Sequence, residues 1–328
     1  MNTIRKKALA LMLAATLSVG AVASVAHAEY PDKPITLLFP WAPGDPFEAV
    51  MRTLGERMGK ELGQPVVVTS TVGAGGKKAT AAAAKADADG YTLLNNWVAP
   101  QIAGKLFDPD LPYDNSSFAP IAGVLAIPFT ITVAESHPSN TMPEFIEWAK
   151  AEGKTLNYGV CAPQSVPRLV GEQFMRSAGL EFNPIPFNGG CMGDNVTGLL
   201  NGSLDVSVSV VPATRVMEGQ VKHLLLLADE SHPVAPDLPT AADVGINIGW
   251  GAAALGWGGL VAPSGAPDDV LAKLRQVSAK ILQDEAFIAE LGPLGKLIDY
   301  ASPEDFEALW SETEQLLKPR VEELRNSN

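Results

Sequence analysis

Short apolar runs alternate with stretches whose apolar residues recur three and four apart, and no other property of this 328-residue chain restricts its fold as tightly. Ile35 to Phe39 is a continuous apolar run stopped by Pro40, the pattern of a strand covered on both faces. The turn Pro43-Gly44-Asp45-Pro46 follows, then a helical stretch carrying Phe47, Val50, Met51, Leu54, Met58 and Leu62. Val66-Val67-Val68 reads as a second strand, running into the loop Gly73-Ala74-Gly75-Gly76. An alanine-rich helix over 79–88 leads to a third strand starting at Tyr91-Thr92-Leu93-Leu94. Strand–helix–strand–helix–strand order predicts a parallel sheet with right-handed crossovers.

The rest of the chain continues the alternation. Thr141-Met142-Pro143-Glu144 has the form of a capping box opening a helix through Lys150. Strands are expected at 156–158, 183–187, 205–211 and 224–228, with helices at 167–178 and 196–200. Two further helices begin at Ala266-Pro267-Asp268 and Ser302-Pro303-Glu304-Asp305. The segments 121–133 and 255–262 look like strands on which the chain changes lobe. The fold class expected is therefore α/β with two lobes: residues 29–126 plus 257–328 form the first, and 127–256 the second, inserted one. Two crossover strands would make the hinge. Ligands of such sheets sit where strand carboxyl ends face helix amino termini.

Arg5-Lys6-Lys7, an apolar run of small residues over 8–25, and Ala26-His27-Ala28 have the form of a secretory signal cleaved after Ala28. No later stretch is long and apolar enough to be a span; the nearest, 248–262, is broken by five glycines. An exported protein is expected, resident in the periplasm if the source has two membranes. Without Arg5, Lys6 and Lys7 the balance is 21 Lys plus Arg against 37 Asp plus Glu, a net −16. That excess argues against nucleic acid as a partner. In an oxidising compartment the only two cysteines, Cys161 and Cys191, are either a disulfide or two buried thiols, and the disulfide is favoured. On the chain-entropy argument it would contribute roughly 3–4 kcal/mol. Neither CxxC nor HxxxH is present, so no metal site is expected.

Tyr30-Pro31-Asp32-Lys33-Pro34-Ile35-Thr36-Leu37 followed by Pro40-Trp41-Ala42-Pro43-Gly44 resembles the start of the Bug/TctC family, solute receptors of tripartite tricarboxylate transporters. The likeness continues, in order, through Gly63-Gln64-Pro65-Val66-Val67-Val68, Gly73-Ala74-Gly75-Gly76 and Asp89-Gly90-Tyr91-Thr92. It goes on through Leu111-Pro112-Tyr113-Asp114, Leu156-Asn157-Tyr158-Gly159 and Pro236-Asp237-Leu238-Pro239-Thr240 to Gly265-Ala266-Pro267. No single tetrapeptide is specific; the ordered set is. The resemblance implies a venus-flytrap receptor, monomeric and without a cofactor. Such a receptor holds a small organic acid in its cleft and presents it to membrane permease subunits. It also implies that the loop after the first strand (Pro43, Gly44) and the loop Gly73, Ala74, Gly75 hold a ligand carboxylate, largely through backbone amides. Unpaired helix N–H groups favour an anion even in an acidic protein.

Departures from the family pattern fall in the expected cleft loops. The usual Pro-Gly-Gly-Gly-Thr-Asp is here Pro43-Gly44-Asp45-Pro46-Phe47-Glu48. Asp45 either faces the ligand, repelling a carboxylate at 4 Å by about 4 kcal/mol at an effective dielectric near 20, or faces solvent or caps the helix at Phe47. The second-lobe loop becomes Val160-Cys161-Ala162-Pro163-Gln164-Ser165, and a frequent His becomes Arg168, which either pairs a carboxylate or makes a surface ion pair. A Lys-Gly-Ser/Thr-Gly segment becomes Asn188-Gly189-Gly190-Cys191, and an acidic position becomes Ser209. A Cys161–Cys191 bridge would preorganise that wall. Asn96 and Trp97 stand with Trp41 in first-lobe loops; the indoles either sandwich a planar ligand or pack beneath the loop. Asn188 for Lys and the added Asp45 point to a ligand with fewer negative charges than citrate, or one bearing an amino group.

Turnover is not expected. After the leader the histidines are His137, His223 and His232, none in an expected cleft loop, and no G-x-S-x-G elbow is present. Gly73 to Lys78 fits neither the dinucleotide nor the phosphate-loop pattern. A receptor that reports ligand to a signalling partner fits the same sequence as one that feeds transport, and a hydrolase fits it least.

Overall fold

Ile35–Phe39 (β1) is buried at alternate positions, and the helix after it, Pro46–Leu62 (α1), is bounded by its sequence. Asp45 caps its start by accepting from Phe47 N–H, Pro46 occupies the first turn, and Gly63 ends it at φ 75°. Its inward face is Val50, Met51, Leu54, Met58 and Leu62, as the spacing predicts. The structure, a computed structural model, describes residues 30–160, 164–187, 191–210 and 219–326, with the backbone alone at 191–193, 209, 252 and 253. The expected leader lies outside the described residues.

Residues 33–328 form one unit containing two mixed sheets. The further strands are Val66–Ser70 (β2), Thr92–Trp97 (β3), Phe118–Ile127 (β4), Phe129–Ala134 (β5), Leu156–Val160 (β6), Phe182–Pro186 (β7), Val206–Val210 (β8), Val221–Leu226 (β9), Gly256–Pro263 (β10) and Ile298–Ala301 (β11). The first sheet has the order β11-β4-β10-β3-β1-β2, and the second β7-β6-β8-β5-β9. β2, β1 and β3 are parallel, as expected of the strand–helix alternation. β10 runs antiparallel between β3 and β4, so the first sheet as a whole is mixed. In the second sheet β7, β6 and β8 are parallel, and β5 is antiparallel to β8 and β9.

The chain leaves the first sheet at Ile127 and enters the second at Phe129, within the segment 121–133. The return differs from expectation. The apolar run 255–262 does not change sheets, because all of β10 pairs within the first. The change occurs earlier, in the irregular stretch between β9 and β10, which starts with Leu227 N–H on the Phe129 carbonyl at 2.8 Å. A strand buried on both faces reads as a continuous apolar run wherever it lies.

Lys77–Ala84 (α2), Gly104–Phe107 (α3), Met142–Ala151 (α4), Val166–Ser177 (α5), Cys191–Leu200 (α6), Asp268–Leu282 (α7), Glu285–Glu290 (α8) and Pro303–Asn326 (α9) complete the framework. Thr141 caps α4 through Glu144 N–H, but the reciprocal Glu144 carboxylate takes the Asn140 N–H rather than that of Thr141. α9 buries Phe306, Trp310, Thr313, Leu317, Arg320 and Val321. Thr313 accepts the Trp257 indole N–H at 3.1 Å, fixing the helix on β10. Farther along, Arg320 reaches Glu172 of α5 at 2.5 Å, and Glu172 also accepts from Arg168 Nε at 2.6 Å. Both Arg320 and Glu172 are buried, so α9 is ionically tied to a helix packed on the second sheet.

Three outcomes follow from this packing. A Cβ at Gly259 would lie 2.5 Å from the Ala122 carbonyl oxygen and against the Phe306 ring. Gly259→Ala is expected to destabilise by about 2 kcal/mol in urea unfolding; a neutral result would refute the close packing of β10 under α9. Glu172→Ala should cost about 2 kcal/mol by removing the buried one of the two carboxylates that hold Arg320, the other being exposed Glu323. The double variant with Arg320→Ala should cost clearly less than the sum, and simple additivity would show the pair to be uncoupled. Burial, joined by the Lys222 ammonium, pushes the His137 imidazole below its ordinary value, and burial does the same to His232. The unfolded chain takes up those protons near pH 6.5 while the folded one resists. The stabilisation is therefore full above that pH and lost as pH falls. Tm should drop between pH 7 and 5.5, and less steeply in His137→Gln, whose amide oxygen can still take the Ser139 N–H.

Candidate functional site

Three loops meet at the carboxyl ends of β1, β2 and β3. Thr71 N–H on the Phe39 carbonyl at 2.8 Å ties the ends of β1 and β2 together. Beyond it, Gly73, Ala74, Gly75 and Gly76 have φ of 146°, 49°, 62° and 86°, a run of left-handed backbone that glycine permits and Ala74 adopts among them. The turn closes with Gly76 N–H on the Gly73 carbonyl at 3.1 Å, and α2 starts at the next residue. A Cβ on Gly76 would lie 3.1 Å from Pro100 and 3.3 Å from Pro40, so this turn rests directly on the loops that follow β3 and β1. Ala74 and Gly75 remain exposed at its tip.

The loop after β1 is held by its own carboxylates. Gly44, at φ 87°, donates its N–H to Glu48 Oε2 at 2.7 Å, and Asp45 Oδ1 accepts from Phe47 N–H at 2.8 Å. Glu48 Oε1 accepts from Arg52 at 2.6 Å and from Ser70 Oγ at 3.3 Å, joining the loop to the end of β2. The Gly44 N–H and the Arg52 guanidinium hold the Glu48 carboxyl below its ordinary range. Burial pushes Asp45 up, against the Phe47 N–H that favours its charged form. Pro43 lies exposed beside them.

Trp97 ends β3 as a buried side chain. Its indole N–H donates to Asn95 Oδ1 at 2.7 Å, Asn95 Nδ2 donates to the Gly259 carbonyl at 3.2 Å, and Gly258 leaves room for the ring. Trp41 meets it edge-on with centroids 6.2 Å apart, and Phe47 leans on it at 5.1 Å. Trp41 and Phe47 are themselves half exposed. Asn96 is 1% exposed, and neither of its amide atoms has a hydrogen-bond partner.

On the second sheet, Gln164 is exposed, and Ser165 occupies the capping position of α5 in extended backbone. Arg168 lies one turn in, bonded to buried Glu172. Ser209 lies on β8 opposite Thr130 of β5. Cys161, Asn188 and Gly190 lie outside the described residues, and with Cys161 the expected pairing to Cys191. α6 begins at Cys191, five residues before the apolar pattern announces it. Asn195, which sequence reasoning passed over, is fully buried, with neither amide atom bonded. Its Oδ1 stands 2.6 Å from where a Gly159 side chain would begin, at the end of β6. A buried amide beside a strand glycine is the signal that would have found it.

A cavity of about 550 Å³ lies elsewhere, against Ala126, Asp229, His232, Leu255, Lys296 and Asp299. It sits at the β11–β4 edge of the first sheet, with β10 and β3 between it and β1, whereas the glycine turn follows β2 at the opposite edge. The carboxyl ends of β4 and β9 reach it at Ala126 and Ala228, but these strands belong to different sheets, whereas the three loops follow adjacent parallel strands and lead into α1 and α2, and they are therefore the candidate site.

The profile of the tripartite tricarboxylate transporter family receptors matches residues 50–324. Protein BugT of Bordetella pertussis is 29% identical over 308 residues, covering 93% of this chain and 92% of its own. Among solved structures, MatC from Rhodopseudomonas palustris with bound malate is 26% identical with a TM-score of 0.72, covering 89% of this chain and all of its own. The periplasmic binding protein BugD is 27% identical with a TM-score of 0.69, covering 91% and 98%. The two sheets are those of the two-lobed periplasmic-binding-protein fold, built for receiving a solute rather than for turnover. By profile, relatives and fold alike, this chain belongs to the tripartite tricarboxylate transporter receptor family.

Proposed function

We propose that this protein is an exported, periplasmic receptor that captures a small carboxylate between two lobes and delivers it to the permease subunits of a tripartite transporter. Residues 29–126 plus 257–328 form one lobe and 127–256 the other, a division supported by the strands: β1 to β4, β10 and β11 lie in one sheet, β5 to β9 in the other. The observation that carries the reading is the left-handed turn Gly73–Gly76, wedged against Pro40 and Pro100 where three parallel strands end. The positive end of the α2 dipole favours an anion at such a turn. The malate held by MatC is an acid of the class proposed here.

Gln164, Ser165 and Arg168 around the start of α5, together with the start of α6, would supply the second wall. Cys161 follows β6 directly and Cys191 opens α6, which packs on β6, an arrangement that supports a disulfide across this wall. The bridge would hold the two loops in their bound relation and reduce the ordering cost of capture.

Thermal-shift titration of the purified protein against mono-, di- and tricarboxylates tests the reading. A carboxylate at 100 times its Kd is expected to stabilise by about 2.7 kcal/mol. Gly76→Ala, which drives a Cβ toward Pro40 and Pro100, should weaken that ligand about tenfold or more while the chain stays folded. No shift with any carboxylate, by protein with a native circular dichroism spectrum, would refute the reading.

A further inference from the structure

The first wall is divided by charge. Around the turn Gly73–Gly76 stand the positive end of α2 and two cations at its first residues, Lys77 half-buried and Lys78 exposed, while the Gly76, Lys77 and Lys78 N–H groups close on the Gly73 and Ala74 carbonyls. Around 41–48 stand two carboxylates and two partly exposed aromatic rings, those of Trp41 and Phe47. The donors of this second stretch are already engaged: Gly44 N–H by Glu48 at 2.7 Å, Phe47 N–H by Asp45 at 2.8 Å. Glu48 is itself 5% exposed and further held by Arg52 and Ser70, so it does not swing away at small cost. A donor bonded to a fixed carboxylate has little to offer a ligand anion, and a second anion brought beside Asp45 meets repulsion. This loop fills its own anion site.

What the loop does present is apolar. Trp41 and Phe47 lean on the Trp97 indole, which is anchored through Asn95 and seated over Gly258, and both keep part of their surface open. Half-open rings above a fixed indole suit a flat apolar body and give up little conformational freedom on contact. The geometry points to an aryl monocarboxylate as the ligand class, its single carboxylate directed to the Gly73–Gly76 turn and its ring resting on Trp41 and Phe47, in preference to a di- or tricarboxylate. This inference rests on the receptor reading above and narrows it.

Calorimetric titration with benzoate, phenylacetate and 3-phenylpropionate, against malate, adipate, citrate and alanine, tests it on the unaltered protein, with intrinsic tryptophan fluorescence as a second readout. At least one aryl acid is expected to bind about tenfold tighter than any di- or tricarboxylate and to change the fluorescence. Trp41→Ala should remove about tenfold of aryl affinity, clearly more than it takes from malate or adipate. Asp45→Asn, which keeps an oxygen for the Phe47 N–H, should strengthen the dicarboxylates several-fold, more at low salt than at high. A dicarboxylate, tricarboxylate or alanine binding as tightly as the best aryl acid would overturn the inference while leaving the receptor reading intact. Binding of none of these or other carboxylates by folded protein would overturn both. The ligand series on the unaltered chain decides even if a variant fails to fold.

Discussion

Gly76 leaves little room for a side chain, and the first wall is built on that restriction. With Pro40 on one side and Pro100 on the other, the turn after β2 is clamped between the loops that leave β1 and β3. Prolines are stiff partners, so the clamp transmits position rather than yielding. The left-handed path through Gly73, Ala74 and Gly75 then brings the turn out of the sheet and into α2 with its tip exposed. A binding surface made from backbone needs this kind of external support, because main-chain groups have no rotamers with which to correct an error of placement.

Charge acts locally in this molecule. A net −13 for the whole chain would be expected to turn anions away, yet an anion site depends on dipoles within a few ångströms, which distant surface carboxylates reach only through screening solvent. The carboxylates that matter are those inside the loops. Glu48 and Asp45 are consumed in holding the polypeptide, each satisfying N–H groups that glycine and proline leave without helical partners.

Much of the framework could be read from the sequence because its signals are local. Asp45, Pro46 and Gly63 bound α1, and its apolar spacing gives its buried face, all within a single helix. The same holds for Thr141 and Glu144 at α4 and for the parallel pairing of β1 with β2 and β3. Less was visible where a fact depends on distant partners. The run 255–262 looks the same whether it bridges two sheets or is buried within one, and only its pairing with Asn95, Asn96 and Ala122 decides. α6 starts at Cys191 because the fold continues the helix backward through residues with no apolar rhythm. At the site, the capping role of Asp45 was one of the readings its sequence allows. The grip of Glu48 on Gly44 was not visible, because it requires the positive φ that folds the loop back on its own helix. Glu172 is a visible neighbour of Arg168 at four residues' spacing, while its partner Arg320 lies 148 positions away.

That distant partnership bears on how the molecule moves. Two passages of chain link the sheets, but α9, moored to β10 by the Trp257–Thr313 bond and to α5 by the Arg320–Glu172 pair, is a third tether that sequence continuity does not supply. Any separation of the two sheets must therefore stretch or break the buried Arg320–Glu172 pair, so the C-terminal helix acts as a brace across them.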